Sequence, residues 1–157
     1  MKNSFKLLDC TIRDGGYYND WNFSDELVLE YLDLMQKSPI EIVEIGFRSA
    51  STDKILGAYA YSEPSYVEQI VKKSNFKKSI AVMINATDIK KLGNQNIINL
   101  LKERPDCFKM VRFATDPEDV ERVINISDKI KSFGYTVGIN IMKISSLDLD
   151  ELEKLVK

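Results

Sequence analysis

Ile40-Glu41-Ile42-Val43-Glu44-Ile45-Gly46-Phe47 is the stretch that decides the fold. It is a short, apolar, β-branched run bounded by chain breakers, which reads as a buried strand. Upstream, Ser38-Pro39 closes a helix-period stretch over Asn22 to Lys37, because the residue before a proline avoids helical geometry. Ser24 is placed to cap that helix, Asp25 and Glu26 suit its first turn, and Leu27, Val28, Tyr31, Leu32 and Met35 form its apolar face. Downstream, Arg48 to Glu63 shows no periodicity and is longer than most strand-to-helix connections, as functional or mobile loops are. Pro64 then suits a helix start, with Val67, Ile70 and Val71 facing inward. A buried strand with a helix on each side in sequence is the unit of a parallel sheet.

The same alternation runs outward in both directions. Lys6 to Ile12 (KLLDCTI), Ser79 to Asn85 (SIAVMIN), Cys107 to Ala114 (CFKMVRFA) and Thr136 to Met142 (TVGINIM) read as further strands. Asp88 to Glu103 reads as a helix broken near Gly93 and closed by Arg104-Pro105. Asp116-Pro117 opens the next helix, with Val120, Val123, Ile124, Ser127 and Ile130 on one side and Gly134 ending it in the left-handed position. A last helix spans Asp148 to Lys157, with Leu152, Leu155 and Val156 inside. These make five consecutive βα units without a linker, so residues 1–157 are expected to form a single domain. Two α/β architectures accept the pattern. A complete flavodoxin-like binding module orders its strands 2-1-3-4-5, whereas a partial (β/α)8 TIM barrel keeps them in sequence. A whole barrel takes about 250 residues, so the expectation is the N-terminal portion of one.

Composition narrows the function. Twenty-two Lys and Arg against 24 Asp and Glu give a net charge of −2, which lacks the basic excess of a nucleic-acid binder. No apolar run approaches the roughly 18 residues of a membrane span, and Met1 to Lys6 leads almost at once into structured sequence. A cytoplasmic protein without membrane or nucleic-acid partners is expected. The chain has no histidine, which excludes Ser-His-Asp, Cys-His and His-ligated metal chemistry within it. Cys10 and Cys107 are far apart and fit neither a metal spacing nor a disulfide framework. Cys10 reads as strand core.

The densest polar constellation follows the first strand: Thr11-Ile12-Arg13-Asp14-Gly15-Gly16-Tyr17-Tyr18-Asn19-Asp20-Trp21. Ligands of parallel α/β folds gather at the carboxyl ends of strands. There, an aspartate can hold a hard divalent cation, and an adjacent arginine can stabilise a developing oxyanion. A structural ion pair with a Gly-Gly turn is the alternative on the dipeptide alone. Asn85, Arg112, Asn140 and Lys143 lie at or near strand ends and are candidates for the same mouth. Arg112 leads, because a charge within an apolar strand needs a partner. Tyr17, Tyr18 and Trp21 read as a packed aromatic loop, and Tyr59, Tyr61 and Tyr66 as cover for an exposed edge.

TIRDGG after a first strand, extended by YYNDWNFS, resembles the opening of the metal-dependent aldolase and acyl-transferase barrels called the DRE-TIM metallolyase superfamily, and looks most like its 4-hydroxy-2-oxovalerate aldolase branch. Ile42 to Phe47 is similar to the family's second strand, and Val111-Arg112 to its fourth. The resemblance implies that Asp14 binds a divalent metal, Mg or Mn, that Arg13 stabilises a pyruvate enolate, and that Glu44 completes the Asp-Arg-Glu set and helps hold the arginine. Arg112 and Asn140, from their places at the strand ends, are expected as substrate contacts, and the resemblance implies a 2-oxo acid as substrate. The family's His-x-His metal ligands match nothing in these 157 residues, so an incomplete metal site and an inactive isolated chain are expected. Where the aldolases place a catalytic histidine, this sequence has Gly16-Tyr17-Tyr18, which makes Tyr17 the catalytic candidate there. An acyl-CoA-dependent Claisen condensation is the alternative chemistry within the superfamily.

Five parallel strands without the rest of a barrel leave unpaired edges and an uncovered inner face, which invite pairing with a second copy. A homodimer, or closure of the seam by the loop of Arg48 to Glu63, is expected. Light scattering of the 157-residue chain over a concentration series should show dimer, and a monodisperse monomer with no tyrosine-rich loop across the sheet would exclude both forms of closure.

Overall fold

The computed structural model describes residues 5–50 and 55–156. Five parallel strands, β1 (Leu8–Asp9), β2 (Ile42–Phe47), β3 (Ser79–Ile84), β4 (Phe108–Thr115) and β5 (Thr136–Ile141), lie in the order β1-β2-β3-β4-β5 and curl into a half-barrel. The sequential order corresponds to consecutive barrel strands and rules out the flavodoxin-like arrangement. The helices are α1 (Thr11–Gly15), α2 (Asp25–Lys37), α3 (Pro64–Lys73), α4 (Ala86–Lys102), α5 (Val120–Ser132) and α6 (Leu149–Val156). No helix among the described residues is long and apolar enough to cross a membrane.

Local chemistry accounts for most boundaries. Ser24 caps α2 by accepting the Leu27 N–H at 3.3 Å, and Asn85 caps α4 by accepting that of Thr87 at 3.0 Å. Asp148 and Glu151 make reciprocal side-chain-to-backbone bonds of 2.8 and 3.0 Å at the start of α6, a capping box. Gly93 takes φ +71° and breaks α4 where the sequence places a break. Gly134 takes φ +94° after α5, in the expected left-handed region.

The first strand departs from expectation. Only Leu8 and Asp9 of Lys6–Ile12 pair as strand, and Thr11 and Ile12 belong to α1. The Asp9 carboxylate accepts the Thr11 N–H at 2.9 Å, and the Asp14 N–H bonds the Cys10 carbonyl at 2.8 Å. These local bonds take backbone groups the ladder would have used. Two helix faces are also narrower than read: Val28 and Leu32 are buried but Leu27 is exposed, and Ile126 is buried while Ile124 is exposed. Each outlier sits about 100° from the buried stripe of its helix. On α6, Leu152 and Leu155 are half-buried, and the Val156 side chain and Lys157 fall outside the described residues.

Between the strands and the helices lies the core: Val43, Ile45, Ile80, Val82, Val111 and Phe113 against Leu32, Ile70, Ile97 and Ile130. Strand register assigns the other face. Glu44 pairs with Ala81, Ala81 with Met110, Met83 with Arg112, Arg112 with Gly138, and Ala114 with Asn140. These positions share the concave inner side, since neighbours in register point the same way. A bulge between Glu44 and Gly46 resets the alternation, so that Glu44 and Phe47 both face inward.

Gly46 sits where the loop after β2 returns onto the strand, and a Cβ there would lie 2.0 Å from the Tyr59 carbonyl oxygen. A Cβ at Gly15 would meet only Phe23, at 3.6 Å. Gly46→Ala should therefore cost about 1–3 kcal/mol, as overpacking does, whereas Gly15→Ala should stay within about 0.5 kcal/mol. Urea unfolding followed by circular dichroism on both variants checks this pair, with equal midpoints refuting it.

Candidate functional site

Glu44 is the centre of the concave face. Its side chain is fully buried at 0% exposure, and both its oxygens are taken by guanidinium groups. Arg13 donates from Nε to Oε1 at 2.8 Å, and Arg112 donates from Nη1 to Oε1 and Oε2 at 3.2 and 3.1 Å. α1 delivers Arg13 from the end of the first unit, and β4 delivers Arg112 from two strands away. A buried carboxylate costs several kcal/mol unless paired and hydrogen-bonded, and two arginines meet that requirement here. Burial works against the Arg13 charge, but the hydrogen bond and attraction of Glu44, then the attraction of Asp14, outweigh it and raise its pKa.

Asp14 stands at the edge of this cluster with its side chain half exposed, ion-paired to Arg13 Nη1. Its Oδ2 accepts the Cys10 thiol at 3.1 Å. Desolvation, followed by that hydrogen bond and the Asp14 charge, pushes the Cys10 thiol up and keeps it protonated at neutral pH. Cys10 is thus a half-buried donor to Asp14, a contact that its reading as strand core missed.

Aromatic rings wall the cluster. The Arg13 guanidinium lies over the Phe47 ring at 5.8 Å, Trp21 meets Phe47 edge-on at 5.4 Å, and Tyr17 meets Trp21 at 4.8 Å. Trp21 donates from Nε1 to the Arg13 carbonyl at 2.8 Å, tying the loop to α1. Tyr17 stays 60% exposed at the rim. Tyr18, at 95% exposure, is not part of the packed loop that the sequence suggested. Tyr59 is corrected too: it is buried between Phe23 and Tyr66, at 6.2 and 5.7 Å between ring centres, rather than covering a sheet edge.

The remaining candidates are placed apart from Glu44. Asn140 shares the inner face of Arg112 but lies exposed one strand further on. Asn85 spends its side-chain oxygen on the α4 cap. Lys143 reaches Asp116 at 3.4 Å. Asp116, Glu118 and Asp119 form a carboxylate cluster beyond β4 that the sequence reading did not single out. Lys90 lies within it, 2.7, 3.1 and 3.8 Å from the three acids, with its pKa raised chiefly by the hydrogen bonds to Asp116 and Glu118. A tethered ammonium thus already sits among those carboxylates, and Lys143 and Arg122 pair with Asp116 and Asp119 as well.

For a hard divalent cation, which takes six or more oxygen ligands, the inner face offers Asp14. Glu44 is fully engaged by arginines. The donor chemistry fits one position of such a shell, and the remaining positions would fall to substrate, water or residues outside this set. The arrangement is a charge-balanced mouth, two guanidiniums held on one buried carboxylate with a second, half-exposed carboxylate in front.

An α/β half-barrel with an Arg-Asp-Glu cluster at its mouth is the class that fold and site define. In comparison with known proteins, the chain is similar to the N-terminal domain of "a putative aldolase" from Bacteroides vulgatus, with 31% identity and a TM-score of 0.73 over 96% of this chain and 52% of that one. The chain therefore spans about half the length of that solved structure. No family model matches the sequence, and no curated protein matches it.

Replacing Glu44 by Gln removes the charge that two arginines converge on. Breaking a buried pair by removing one partner costs about 3–5 kcal/mol, so Glu44→Gln should lower the unfolding free energy by that order. Denaturant unfolding checks it, and a loss below about 1 kcal/mol would mean that solvent already screens the pairs.

Proposed function

We propose that this chain supplies the N-terminal half of a divalent-metal-dependent aldolase active site that cleaves or forms 4-hydroxy-2-oxo acids. The observation that carries the reading is the bridging of Arg13 and Arg112 by buried Glu44, with Asp14 exposed beside them. Support comes also from the likeness to the Bacteroides vulgatus domain. In such a site Mg or Mn, bound in part through Asp14, would polarise the 2-oxo group of the substrate.

Retro-aldol cleavage breaks the C3–C4 bond as the 4-hydroxyl loses its proton. The bond's electron pair passes to the C2 oxygen, forming a pyruvate enolate that is then protonated at C3. Arg13 is the residue for the enolate oxygen: it is charged, partly desolvated, and locked in orientation by Glu44 and the Phe47 ring, so little reorganisation accompanies charge development. Arg112 carries a second positive charge on the same carboxylate and suits the substrate's own carboxylate. Asn140, on the inner face one strand on, would contact the rest of the substrate. Tyr17, at the rim of the aromatic wall, would carry a proton to or from the reacting oxygen.

The test uses the protein as its gene encodes it, supplied with Mg or Mn and a 4-hydroxy-2-oxo acid, with pyruvate release measured by a coupled reductase. Metal-dependent release is expected, with Asp14→Asn abolishing it and Arg13→Lys lowering kcat about 10²- to 10³-fold, the usual cost of losing an oxyanion donor. Absence of pyruvate release, or full activity in Asp14→Asn, would overturn the proposal.

A further inference from the structure

Cys10 and Asp14 stand one helical turn apart where the chain enters α1, the Asp14 N–H closing on the Cys10 carbonyl at 2.8 Å. Residues four apart on a helix share a face, and the Cys10 thiol accordingly donates to Asp14 Oδ2 at 3.1 Å. The other oxygen, Oδ1, pairs with Arg13 Nη1, and Arg13 is itself fixed through Nε on buried Glu44. Each oxygen of Asp14 thus meets one donor from its own turn of chain. A carboxylate offers about four lone-pair positions, so about two remain open on a side chain that is half exposed.

We infer that Cys10 is a positioning residue for Asp14: its thiol holds the carboxylate in one orientation toward a hard divalent cation and is not itself a ligand of the ion. The inference rests on the aldolase reading and adds to it the residue that sets the aim of the metal-binding carboxylate. A half-exposed carboxylate that turns freely loses that freedom on binding an ion, and the loss weakens binding. The Arg13 contact alone fixes one oxygen and lets the other swing about it. A second donor on Oδ2 stops that motion, so Asp14 enters the shell of the ion already oriented. Hydrogen-bond partners behind ligating carboxylates are worth about 10- to 100-fold in metal affinity. The thiol stays on the carboxylate because Mg and Mn take oxygen ligands, whereas sulfur suits softer metals. Cys107, which packs half-buried against the core ahead of β4, serves as the control.

The test uses the protein as its gene encodes it, with Mn binding read without turnover by electron paramagnetic resonance of the free ion. Cys10→Ala and Cys10→Val remove the donor and differ in volume, and each should weaken Mn binding about tenfold, the lower end of the range because a thiol is a weak donor. Cys10→Ser restores a donor and should stay within about threefold of wild type, and Cys107→Ala should match wild type. Circular dichroism confirms that each variant is folded. In infrared spectra, the S–H stretching band that disappears in Cys10→Ser should move to higher frequency in Asp14→Ala, where the acceptor is gone. Wild-type affinity in either donorless variant, an equal loss in Cys10→Ser, or an unmoved S–H band would overturn the positioning role. So would a sulfur-to-metal charge-transfer band with Co(II) that vanishes in Cys10→Ser, since it would make Cys10 a ligand. Asp14→Asn separates the two readings: lost Mn binding there, beside any of these outcomes, leaves the aldolase reading standing, whereas unchanged Mn binding overturns both.

Discussion

Glu44 is the constraint on which the concave side of the molecule depends. An unpaired carboxylate at full burial would cost several kcal/mol, so whatever lies around it must be cationic and held in place. Arg13 comes from α1 and Arg112 from β4, at sequence separations of 31 and 68 residues. The single acid thereby ties the first unit to the fourth across the intervening strands. The same pairing that satisfies the buried charge also aims two guanidiniums into the mouth.

The bulge in β2 is the second requirement. Strict alternation from Glu44 would turn Gly46 inward and Phe47 outward. The shift between Glu44 and Gly46 instead keeps Phe47 on the side of Glu44, where its ring underlies Arg13. It also brings the backbone at Gly46 against the Tyr59 carbonyl, a contact that only a residue without a Cβ permits. Bulges beside active sites re-aim side chains in this way.

Electrostatics at the mouth is arranged in closed local sets rather than as one field. Arg13, Arg112, Glu44 and Asp14 balance two against two. Lys90 and Lys143 answer the carboxylates of Asp116, Glu118 and Asp119 beyond β4. The first set joins α1, β2 and β4, and the second joins α4 to the segment that follows β4. A charged ligand entering the inner face therefore meets oriented groups, which need little rearrangement to receive it.

Much of the fold was legible because it depends on local patterns. Alternating β-branched runs and helix-period stretches, Pro64 at a helix start, Ser24 as a cap and Gly134 at a positive φ act within a few residues of themselves. The sequence also determined that Arg112, a charge in an apolar strand, required a partner. Tertiary structure alone decided that the partner is Glu44 and that Asn140 stands apart from it. It also turned Thr11 and Ile12 out of the first strand and made Cys10 a donor to Asp14. Those outcomes depend on strand register, on one bulge, and on side chains brought together across dozens of residues, while periodicity records only which face of its own element a residue occupies.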